Sequence, residues 1–341
     1  MKSLQELHKI REEKRKELDL RVNTNADCRE KHILVCHGTG CTSSKSPQIL
    51  EIFRRILKEK NIDNVRVIMT GCFGLCAKGP IVIIRPEDAF YAMVTPEDCE
   101  EIIQTHIVEG KRVERLLCKD IDGKIVNSLD ELNFYKKQKR IALKNCGVIN
   151  PEDIDEYIAF NGYEALERVL REYTQDEVID IIKKSGLRGR GGAGFPTGKK
   201  WELTKASEGK QKYVVCNADE GDPGAFMDRS ILEGDPHAVL EAMEIAGYPI
   251  GADRGFIYVR AEYPIAVHRL KIAIEQARNY GILGKNIFGT GFNFDIEIRL
   301  GAGAFVCGEE TALLESIEGK RGQPRVKPPY PATAGLWGKP T

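Results

Sequence analysis

Two pairs of cysteines, each placed where a short apolar run ends, constrain this sequence more than any other feature. Cys36 closes the run HILVC, and Cys41 follows after four residues in VCHGTGCTSSKSP. Cys72 follows the run VRVIMT, and Cys76 comes after three residues in TGCFGLCAKGP. Because the carboxyl ends of neighbouring parallel strands meet at one edge of a sheet, two such strands would bring the four thiols together.

Four converging thiols can form disulfides, bind zinc or hold an iron–sulfur cluster. Structural zinc sites favour cysteines separated by two residues, a spacing that neither pair has. Disulfides are rare in cytosolic proteins, and the charged N-terminus MKSLQELHKIREEKRKELDLR lacks the apolar core of a signal peptide. Four thiolates suit a [2Fe–2S] cluster, so the spacing favours a cluster over the two alternatives, which stay open.

The composition excludes several classes of partner. Among 341 residues, Lys plus Arg and Asp plus Glu number 51 each, so no overall charge attracts the chain to nucleic acid or to an anionic membrane. No apolar run has the length of a membrane-spanning helix. We therefore predict a cytoplasmic protein with no nucleic-acid partner and no direct membrane insertion, and a chain of this length predicts two or three domains.

The hydrophobic periods around the cysteines predict a small α/β domain. HILVC, VRVIMT and the two halves of IVIIRPEDAFYAMV have the pattern of strands, and QILEIFRRILKEK has that of a helix. Ser46 is a candidate N-cap of that helix, with Pro47 in its first turn. A last helix is predicted from Thr95 to Ile107. The order β-α-β-β-β-α predicts a sandwich of the thioredoxin-like type.

The rest of the chain divides by composition. We predict a helical N-terminal extension over 1–30, the thioredoxin-like domain over 31–118 and a linker over 119–152, which contains DIDGK and a basic KKQKR run. Residues 153–341 alternate helices with strands such as KYVVCNADE and GFIYVRAEY, the pattern of a second α/β domain.

A glycine-rich loop, SGLRGRGGAGFPTGKKW, lies near the start of that second domain. Gly189, Gly191 and Gly194 match G-x-G-x-x-G, but a helix precedes the loop where a dinucleotide-binding fingerprint requires a strand. Bare backbone N–H groups followed by lysines suit a phosphate group. Phe195 and Trp201 can offer planar faces to a ring system or pack in the core, and the sequence does not decide between the two.

Two acidic loops and a Pro/Gly-rich strap complete the set of candidate segments. CNADEGDPGAFMDR follows a strand, GAGAFVCGEETALLESIEG enters a helix near Gly308, and EGKRGQPRVKPPY forms the strap. Their carboxylates can accept hydrogen bonds from ribose or ribityl hydroxyls. For Glu309 and Glu310 the alternative is helix capping, because carboxylates are stabilised in the first turn of a helix.

The stretch CHGTGC…GCFGLCAKGPIV resembles the thioredoxin-like [2Fe–2S] ferredoxin domain of respiratory NADH dehydrogenases and soluble hydrogenases. The resemblance implies that four cysteines are the cluster ligands: Cys36, Cys41, Cys72 and Cys76.

The segments from residue 186 to the end resemble the flavoprotein subunit of NADH dehydrogenase complexes, the NuoF-like family. The resemblance implies an FMN held by the glycine loop and both acidic loops: Gly189, Arg190, Gly191, Gly192, Ala193, Gly194, Lys200, Asn217, Asp219, Glu220, Gly308, Glu309 and Glu310. It implies that NAD(H) stacks over the flavin in a pocket lined by Phe195, Asp222, Lys327 and Tyr330. No side chain is expected to act as acid or base, since the flavin carries the hydride transfer.

A ferredoxin domain fused in front of such a flavoprotein resembles the β subunits of soluble NAD(P)-linked [FeFe] hydrogenases (HydB- or HndC-like). This implies exchange of hydride with NAD(H) or NADP(H) through FMN, with electron bifurcation left open. The implied partners are a hydrogenase catalytic subunit, a small [2Fe–2S] subunit and ferredoxin. The alternatives are the flavoprotein of an NAD-dependent formate dehydrogenase or of a respiratory NADH dehydrogenase, and an iron–sulfur electron-transfer fragment without flavin.

Three departures from the family pattern stand out. Asp222 occupies a position where the family usually has Glu, and Phe305 one where it has Tyr. The sequence stops at GLWGKPT, whereas the family continues with an Asn-rich flavin segment, a ubiquitin-like domain and a helical bundle that binds a [4Fe–4S] cluster. The resemblance therefore implies a C-terminally incomplete chain, with [4Fe–4S] expected only in the missing part.

Overall fold

The structure, a computed structural model, describes residues 3–23 and 29–341 and divides them into two compact units. The N-terminal unit contains residues 10–160 together with Glu233–Asp235. The C-terminal unit contains residues 3–9, 161–232 and 236–341. The division falls after Phe160, so the predicted boundaries at 30/31, 118/119 and 152/153 stay predictions. Cys28 lies outside the described residues.

The N-terminal unit has the predicted succession of strands and helices. Its elements are α1 (Leu4–Leu18, from Ile10 onward), β1 (Lys31–Cys36), α2 (Thr39–Ser43), α3 (Ser46–Glu59), β2 (Val65–Thr70), β3 (Val82–Arg85), β4 (Ala89–Tyr91), α4 (Cys99–Glu101), α5 (Asn133–Lys136) and α6 (Ile154–Ala159). Helix α4 continues as a π-helical segment over Ile102–Val108. The order β-α-β-β-β-α is confirmed.

One cap prediction is wrong. Helix α3 begins at Ser46, and the residue in the N-cap position is Lys45, whose φ of 71° places it in the left-handed region. The Ser46 hydroxyl instead lies 3.3 Å from His37 Nδ1. Pro47 occupies the first turn as predicted, because its fixed φ suits that position.

The four strands form one sheet in the order β2-β1-β3-β4, with β1 parallel to β2 and antiparallel to β3. Alternate side chains of β1 point to opposite faces. Ile33 and Val35 join a core with Phe53 of α3, while Leu34 joins a second core on the other face. Both faces are covered, which explains why the last four residues of β1, ILVC, are apolar without interruption.

Residues 119–152 supply part of that second core. Val126, Leu132 and Tyr135 are buried and pack in the same cluster as Leu34 and Phe90. This segment, predicted to be a linker, is therefore packed into the N-terminal unit. The apolar residues that make the contact are few and widely spaced, so no hydrophobic period announces them.

The C-terminal unit alternates helices with three strands, as its sequence pattern predicted. Its elements are α7 (Glu164–Glu172), α8 (Gln175–Ser185), α9 (Thr197–Ala206), β5 (Tyr213–Ala218), α10 (Met227–Gly234, up to Leu232), α11 (Pro236–Ile250), β6 (Arg254–Arg260), α12 (Pro264–Tyr280), β7 (Asp295–Gly301), α13 (Glu310–Ile317) and α14 (Pro331–Ala334).

Strand β6 lies between β5 and β7, and all three strands are parallel. Val259 pairs with both Ala218 and Leu300, so the three carboxyl ends are level. On one face, Phe256 and Tyr258 of β6 share a buried cluster with Leu313, Leu314 and Ile317 of α13. The loops that leave the level edge carry the acidic residues singled out in the sequence, and ligands of open parallel sheets bind at this edge.

Candidate functional sites

The two cysteine loops leave the N-terminal sheet side by side. Cys36 is the last residue of β1 and pairs in register with Thr70, the last residue of β2. The Cys36 thiol hydrogen-bonds with the thiols of both Cys41 and Cys72. Cys76 begins a 3-10 turn and is the exposed member, while the other three are buried. The structure thus brings the predicted ligands together at the edge where the strand pattern placed them.

The contacts between thiols separate their pKa values. The hydrogen bond with Cys41 is the main cause that raises the pKa of Cys36 to about 12, and burial adds to it. The same hydrogen bond is the main cause that lowers the pKa of Cys41. The pKa of Cys72 is raised, first by its hydrogen bond with Cys36 and then by burial. Thiolates packed this closely need a cation among them, because like charges destabilise one another.

Glycines and backbone N–H groups surround the sulfurs. The Gly74 N–H donates to Cys72 Sγ at 3.2 Å, and N–H groups of Gly38 and Ile81 donate to Cys36 and Cys41. A Cβ at Gly79 would lie 2.6 Å from Cys41 Sγ, so any side chain there would collide with the thiol. Hydrogen bonds to sulfur stabilise thiolates and tune the reduction potential of a cluster.

The donor set fits a [2Fe–2S] cluster. It contains four thiols, backbone donors already directed at three of them, and a glycine that leaves space beside Cys41. Among residues 3–23 and 29–341, no three or more His, Cys, Asp or Glu side chains stand where they could hold a single metal ion.

Three residues that support these loops were not identified from the sequence. The Tyr135 hydroxyl donates to the Phe73 carbonyl oxygen, and Thr39 donates to the carboxylate of Glu233. Gly79 could have been found from its place in the KGP motif beside Cys76. Tyr135 and Glu233 lie far along the chain from the cysteines, and no local pattern marks them.

In the C-terminal unit, Asn217 joins two of the loops at the carboxyl edge of the sheet. Its side-chain amide donates to the Gly308 carbonyl oxygen at 2.9 Å, and its Oδ1 accepts from the Asp219 N–H at 3.1 Å. Asp219 Oδ2 is buried and has no hydrogen-bond partner among the described atoms. Burial raises the pKa of this carboxyl. A buried acceptor without a donor is costly, and a ligand hydroxyl is a donor of the kind that this oxygen can accept from.

Glu220 is engaged in a different way. Its carboxylate accepts from the N–H groups of Met227, Asp228 and Arg229 at 2.6, 3.0 and 3.2 Å, the first residues of α10. This is a capping contact, which satisfies N–H groups that have no partner within the helix. Both carboxylate oxygens are thus already used by the protein, and a contact of Glu220 with flavin stays a prediction. Asp222, two residues on, is exposed.

Two lysines and two glutamates form a network at the start of α13. Lys327 Nζ lies 3.0 Å from Glu309 and 2.8 Å from Glu310, and Lys200 Nζ lies 3.2 Å from Glu310. Glu309 is also the N-cap of α13, accepting from Thr311 and Ala312. Burial opposes its ionisation, but these hydrogen bonds outweigh it and lower the pKa of Glu309 to about 2. The capping alternative therefore holds for Glu309.

A cavity of about 240 Å³ opens beside this network. Lys200, Asn217 and Glu310 supply its polar wall, and Trp201 and Tyr213 contribute to its apolar wall. Trp201 thus borders the cavity, one of the two possibilities left open by the sequence. Typical cofactor pockets enclose about 300–1,000 Å³, so this cavity matches part of a cofactor.

A backbone hydrogen bond closes the glycine loop, and no other described part of the protein packs against the glycines at its tip. The Gly189 N–H donates to the Phe195 carbonyl oxygen at 2.9 Å. A Cβ at Gly191, Gly192 or Gly194 would meet no atom within 4 Å. Arg190 and Ala193 are exposed on the same loop. Lys200, in the helix that follows, connects it to the acidic network through Glu310.

The glycine loop, the second acidic loop and the Pro/Gly-rich strap each carry an exposed aromatic side chain. Phe195, Phe305 and Tyr330 are exposed by 49%, 69% and 60%. A Cβ at Gly221 would lie 3.0 Å from the Phe305 ring, which places Phe305 against the loop that holds Asp219. Exposed aromatics beside an unpaired acceptor and a bare glycine loop fit a ligand that has both a planar ring and a polar tail.

Comparison with protein families agrees with both halves of the molecule. Residues 23–106 match the thioredoxin-like [2Fe–2S] ferredoxin family, and residues 182–337 match the Nuo51 FMN-binding domain. The chain joins a thioredoxin-like [2Fe–2S] domain to a NuoF-type FMN-binding domain. The predicted fold class and family resemblance are confirmed. The NuoF-type domain contains the cavity, the network and the glycine loop, while the [2Fe–2S] domain contains all four cysteines of the two loops.

Several curated proteins are similar to this chain. It is 66% identical over 206 residues to the NADP-reducing hydrogenase subunit HndC of Solidesulfovibrio fructosivorans, covering 60% of this chain and 42% of that protein. It is 56% identical over 199 residues to the NADH-quinone oxidoreductase F subunit of Aquifex aeolicus, covering 58% and 46%. The match to the corresponding Escherichia coli protein is 49% over 192 residues, covering 56% and 43%. The chain spans less than half the length of each.

A solved structure of an NAD⁺-reducing [NiFe]-hydrogenase in the H₂-reduced state also resembles this chain. The TM-score is 0.51 at 27% identity, and the match covers 92% of this chain and 50% of that one. The succession of a [2Fe–2S] domain and a NuoF-type domain thus has a structural counterpart in a hydrogenase. Within the described residues, no helix combines the length and apolar character needed to cross a membrane.

Proposed function

We propose that this protein is the NAD(P)H dehydrogenase-type flavoprotein subunit of a soluble hydrogenase complex. It exchanges hydride with NAD(H) or NADP(H) through FMN and single electrons with a [2Fe–2S] cluster. The observation that supports this most is the presence, in one chain, of a four-thiol site and a NuoF-type domain in which the buried Asp219 Oδ2 has no hydrogen-bond partner among the described atoms. The identity with the hydrogenase protein HndC favours the hydrogenase setting.

In this proposal, the side chains of the NuoF-type domain bind FMN and the nicotinamide nucleotide and orient their rings. Bound FMN would supply the conversion between the two-electron chemistry of a nicotinamide and the one-electron chemistry of an iron–sulfur centre. Asp219 would accept from a ribityl hydroxyl, and Lys200 with the glycine loop would hold the phosphate. Phe195, Phe305 and Tyr330 would flank the rings and exclude water. No side chain needs to move a proton for the hydride step.

Cys36, Cys41, Cys72 and Cys76 would hold the cluster in the N-terminal unit. The N–H groups directed at three of these sulfurs stabilise negative charge, so they would raise the reduction potential above that of an unbonded site. Exposure of Cys76 places one side of the site at the surface of the unit. That side is where we place electron exchange with other centres.

The test uses the whole chain, reconstituted anaerobically with iron, sulfide and FMN. Adding NADH or NADPH should bleach the flavin absorption and produce the EPR signal of a reduced [2Fe–2S] cluster. The Cys72→Ala variant should still bleach but should lose the signal, which separates hydride exchange from electron delivery. A flavin that neither nucleotide bleaches would contradict the proposal.

The partners remain to be identified by purification of the native complex. We propose a hydrogenase catalytic subunit, a small [2Fe–2S] subunit and ferredoxin, with the cytoplasmic location as predicted. The identity with NADH-quinone oxidoreductase F subunits supports a second candidate, a respiratory NADH dehydrogenase. Hydrogenase activity in the purified complex favours the first candidate, and quinone reduction without hydrogenase activity favours the second.

A further inference from the structure

A buried carboxylate from a distant part of the sequence holds the loop between Cys36 and Cys41. The Thr39 N–H donates to Glu233 Oε2 at 3.0 Å, and the Thr39 hydroxyl donates to Oε1. Glu233 is completely buried, at 0% exposure, and it belongs with the two residues that follow it to the N-terminal unit.

This carboxylate lies close to the cluster ligands. A Cβ at Gly38 would lie 3.3 Å from Glu233 Oε2 and 2.9 Å from the Cβ of Cys72, so Gly38 is close to both side chains. Salt screens buried charges much less than exposed ones.

Reduction of a [2Fe–2S] cluster adds one electron, and therefore one negative charge, to the site. A fixed negative charge nearby disfavours that step, whereas hydrogen-bond donors directed at the site favour it. Both donors of Thr39 are directed at the carboxylate, so they partly neutralise it. The two residues should therefore act on the potential in opposite directions.

We propose that Glu233 is a positioning residue whose buried negative charge lowers the reduction potential of the [2Fe–2S] cluster, and that Thr39 moderates this charge. The inference goes beyond the proposed function and rests on it only for the cluster held by Cys36, Cys41, Cys72 and Cys76. It assigns a tuning role to a residue almost two hundred positions away from the first ligand.

The experiment is a potentiometric titration of the full reconstituted chain, followed by the EPR signal of the reduced cluster. In Glu233→Gln, which keeps the shape and removes the charge, the ratio of reduced to oxidised cluster at a fixed potential should rise about tenfold. For a one-electron couple this equals an upward shift of about 59 mV. Thr39→Val should shift the potential downward, and Glu233→Asp should stay near the wild-type value.

The matched control is Glu59→Gln, which removes a carboxylate that is exposed at the end of α3 in the same unit. It should leave the potential unchanged. If the two substitutions only loosened the loop, they would shift the reduction potential in the same direction. Opposite shifts in Glu233→Gln and Thr39→Val therefore support the electrostatic role.

An unchanged potential in Glu233→Gln with an intact EPR signal overturns the inference. If Glu233→Gln does not retain its cluster, the reduction potential of Thr39→Val is the deciding measurement. A potential below that of the wild type supports the inference, and an unchanged or raised potential overturns it. A wild-type chain without any [2Fe–2S] signal would instead refute the proposed function, so the two failures are distinguishable.

Discussion

The two sites of this molecule differ in how much of each is complete before a cofactor arrives. At the cysteine loops, three of the four thiols are buried and backbone N–H groups already point at the sulfurs. At the NuoF-type site, Lys200 and Glu310 are each exposed by more than 40%, and the Asp219 carboxylate has no described partner. One site is preformed, and the other still lacks the groups that would pair with it.

The difference follows from the way each site is assembled. The cysteines come from two loops at the ends of adjacent parallel strands, so the sheet register fixes their separation. The residues predicted for the flavin site come from four segments between residues 186 and 330, and ion pairs among partly exposed side chains join some of these segments. Such pairs are worth about 0–1 kcal/mol each. We therefore expect all-or-none effects at the cysteine loops and graded effects at the flavin site.

The largest expected effect is loss of the cluster in Cys72→Ala. Cys72 is one of two thiols that hydrogen-bond with Cys36, and its removal leaves an incomplete ligand set. Iron and acid-labile sulfide per chain should fall to near zero. Cys118→Ala is the control, because Cys118 is also buried in the same unit but lies outside the loops. Similar losses in both variants would show that the loops are not a dedicated site.

A side chain at Gly79 should have almost as large an effect. The added Cβ would lie 2.6 Å from Cys41 Sγ, whereas at Gly40 it would lie 3.3 Å from the sulfur of the exposed Cys76. Gly79→Ala should therefore lose most of its cluster, and Gly40→Ala should retain most of it. Iron content of the two variants, prepared in parallel, measures this order. The reverse order would contradict the preformed geometry.

Acid should destabilise the N-terminal unit before the C-terminal one. Burial is the main cause that lowers the pKa of His32 to about 3 and of His106 to about 4, while the C-terminal unit has His237 at about 4. Unfolded histidines titrate near 6.5, so the unfolded chain binds more protons as the pH falls below that value. Each such histidine removes about 2 kcal/mol of unfolding free energy at pH 5.

Hydrogen exchange can follow this difference. Between pH 6.5 and 4, amides of β1 should lose protection faster than amides of β6, and His106→Gln should reduce the loss in the N-terminal unit only. Both tryptophans, Trp201 and Trp337, lie in the C-terminal unit, so their fluorescence reports that unit separately. Earlier loss of protection in β6 would show that other groups control acid stability.

At the flavin site, Asp219→Ala should weaken FMN binding without weakening the fold. Loss of a buried hydrogen bond costs about 1–3 kcal/mol, which corresponds to roughly 5- to 150-fold in Kd. Without FMN, the variant should be as stable as the wild type or more so, since an unpaired buried carboxylate has been removed. Flavin fluorescence titration and thermal unfolding measure the two effects. Asp180→Ala, an exposed carboxylate on α8, is the control.

The smallest effect on FMN binding is expected from substitution of Lys200, and its neighbour Lys199 provides the control. Lys200 borders the cavity and pairs with Glu310, while Lys199 pairs with Glu202. Lys200→Gln should weaken FMN binding by about tenfold, as loss of one charge-assisted bond predicts, and more strongly at low salt. Lys199→Gln should leave it unchanged. Equal effects would mean that only the general charge of the helix matters.

Much of the N-terminal unit could be predicted because its signals are local. The apolar runs HILVC and VRVIMT and the cysteine spacing placed the predicted ligands at one edge, and the structure brings them there. The cap of α3 was assigned to Ser46, but Lys45 occupies it, since a left-handed lysine gives no sequence signal. The packing of 119–152 was also missed, because three scattered apolar residues form no period.

For the C-terminal unit, the sequence identified the acidic residues but not their partners. Glu309 and Glu220 both cap helices, and only the first was considered for that role. The sequence does not distinguish a carboxylate that caps a helix from one that pairs with a lysine or one that binds a ligand. The difference depends on which N–H groups or ammonium groups lie within about 3 Å, and folding decides that.

The order of strands and helices and the placement of the two cysteine loops at one edge of a sheet were determined by the amino-acid sequence, because periodicity and spacing act over a few residues. Tertiary structure alone decided that Glu233 contacts Thr39 beside the cysteines and that Asp219 has an unpaired buried oxygen. Such contacts join residues far apart in the chain, and their existence depends on how whole elements pack rather than on any local preference.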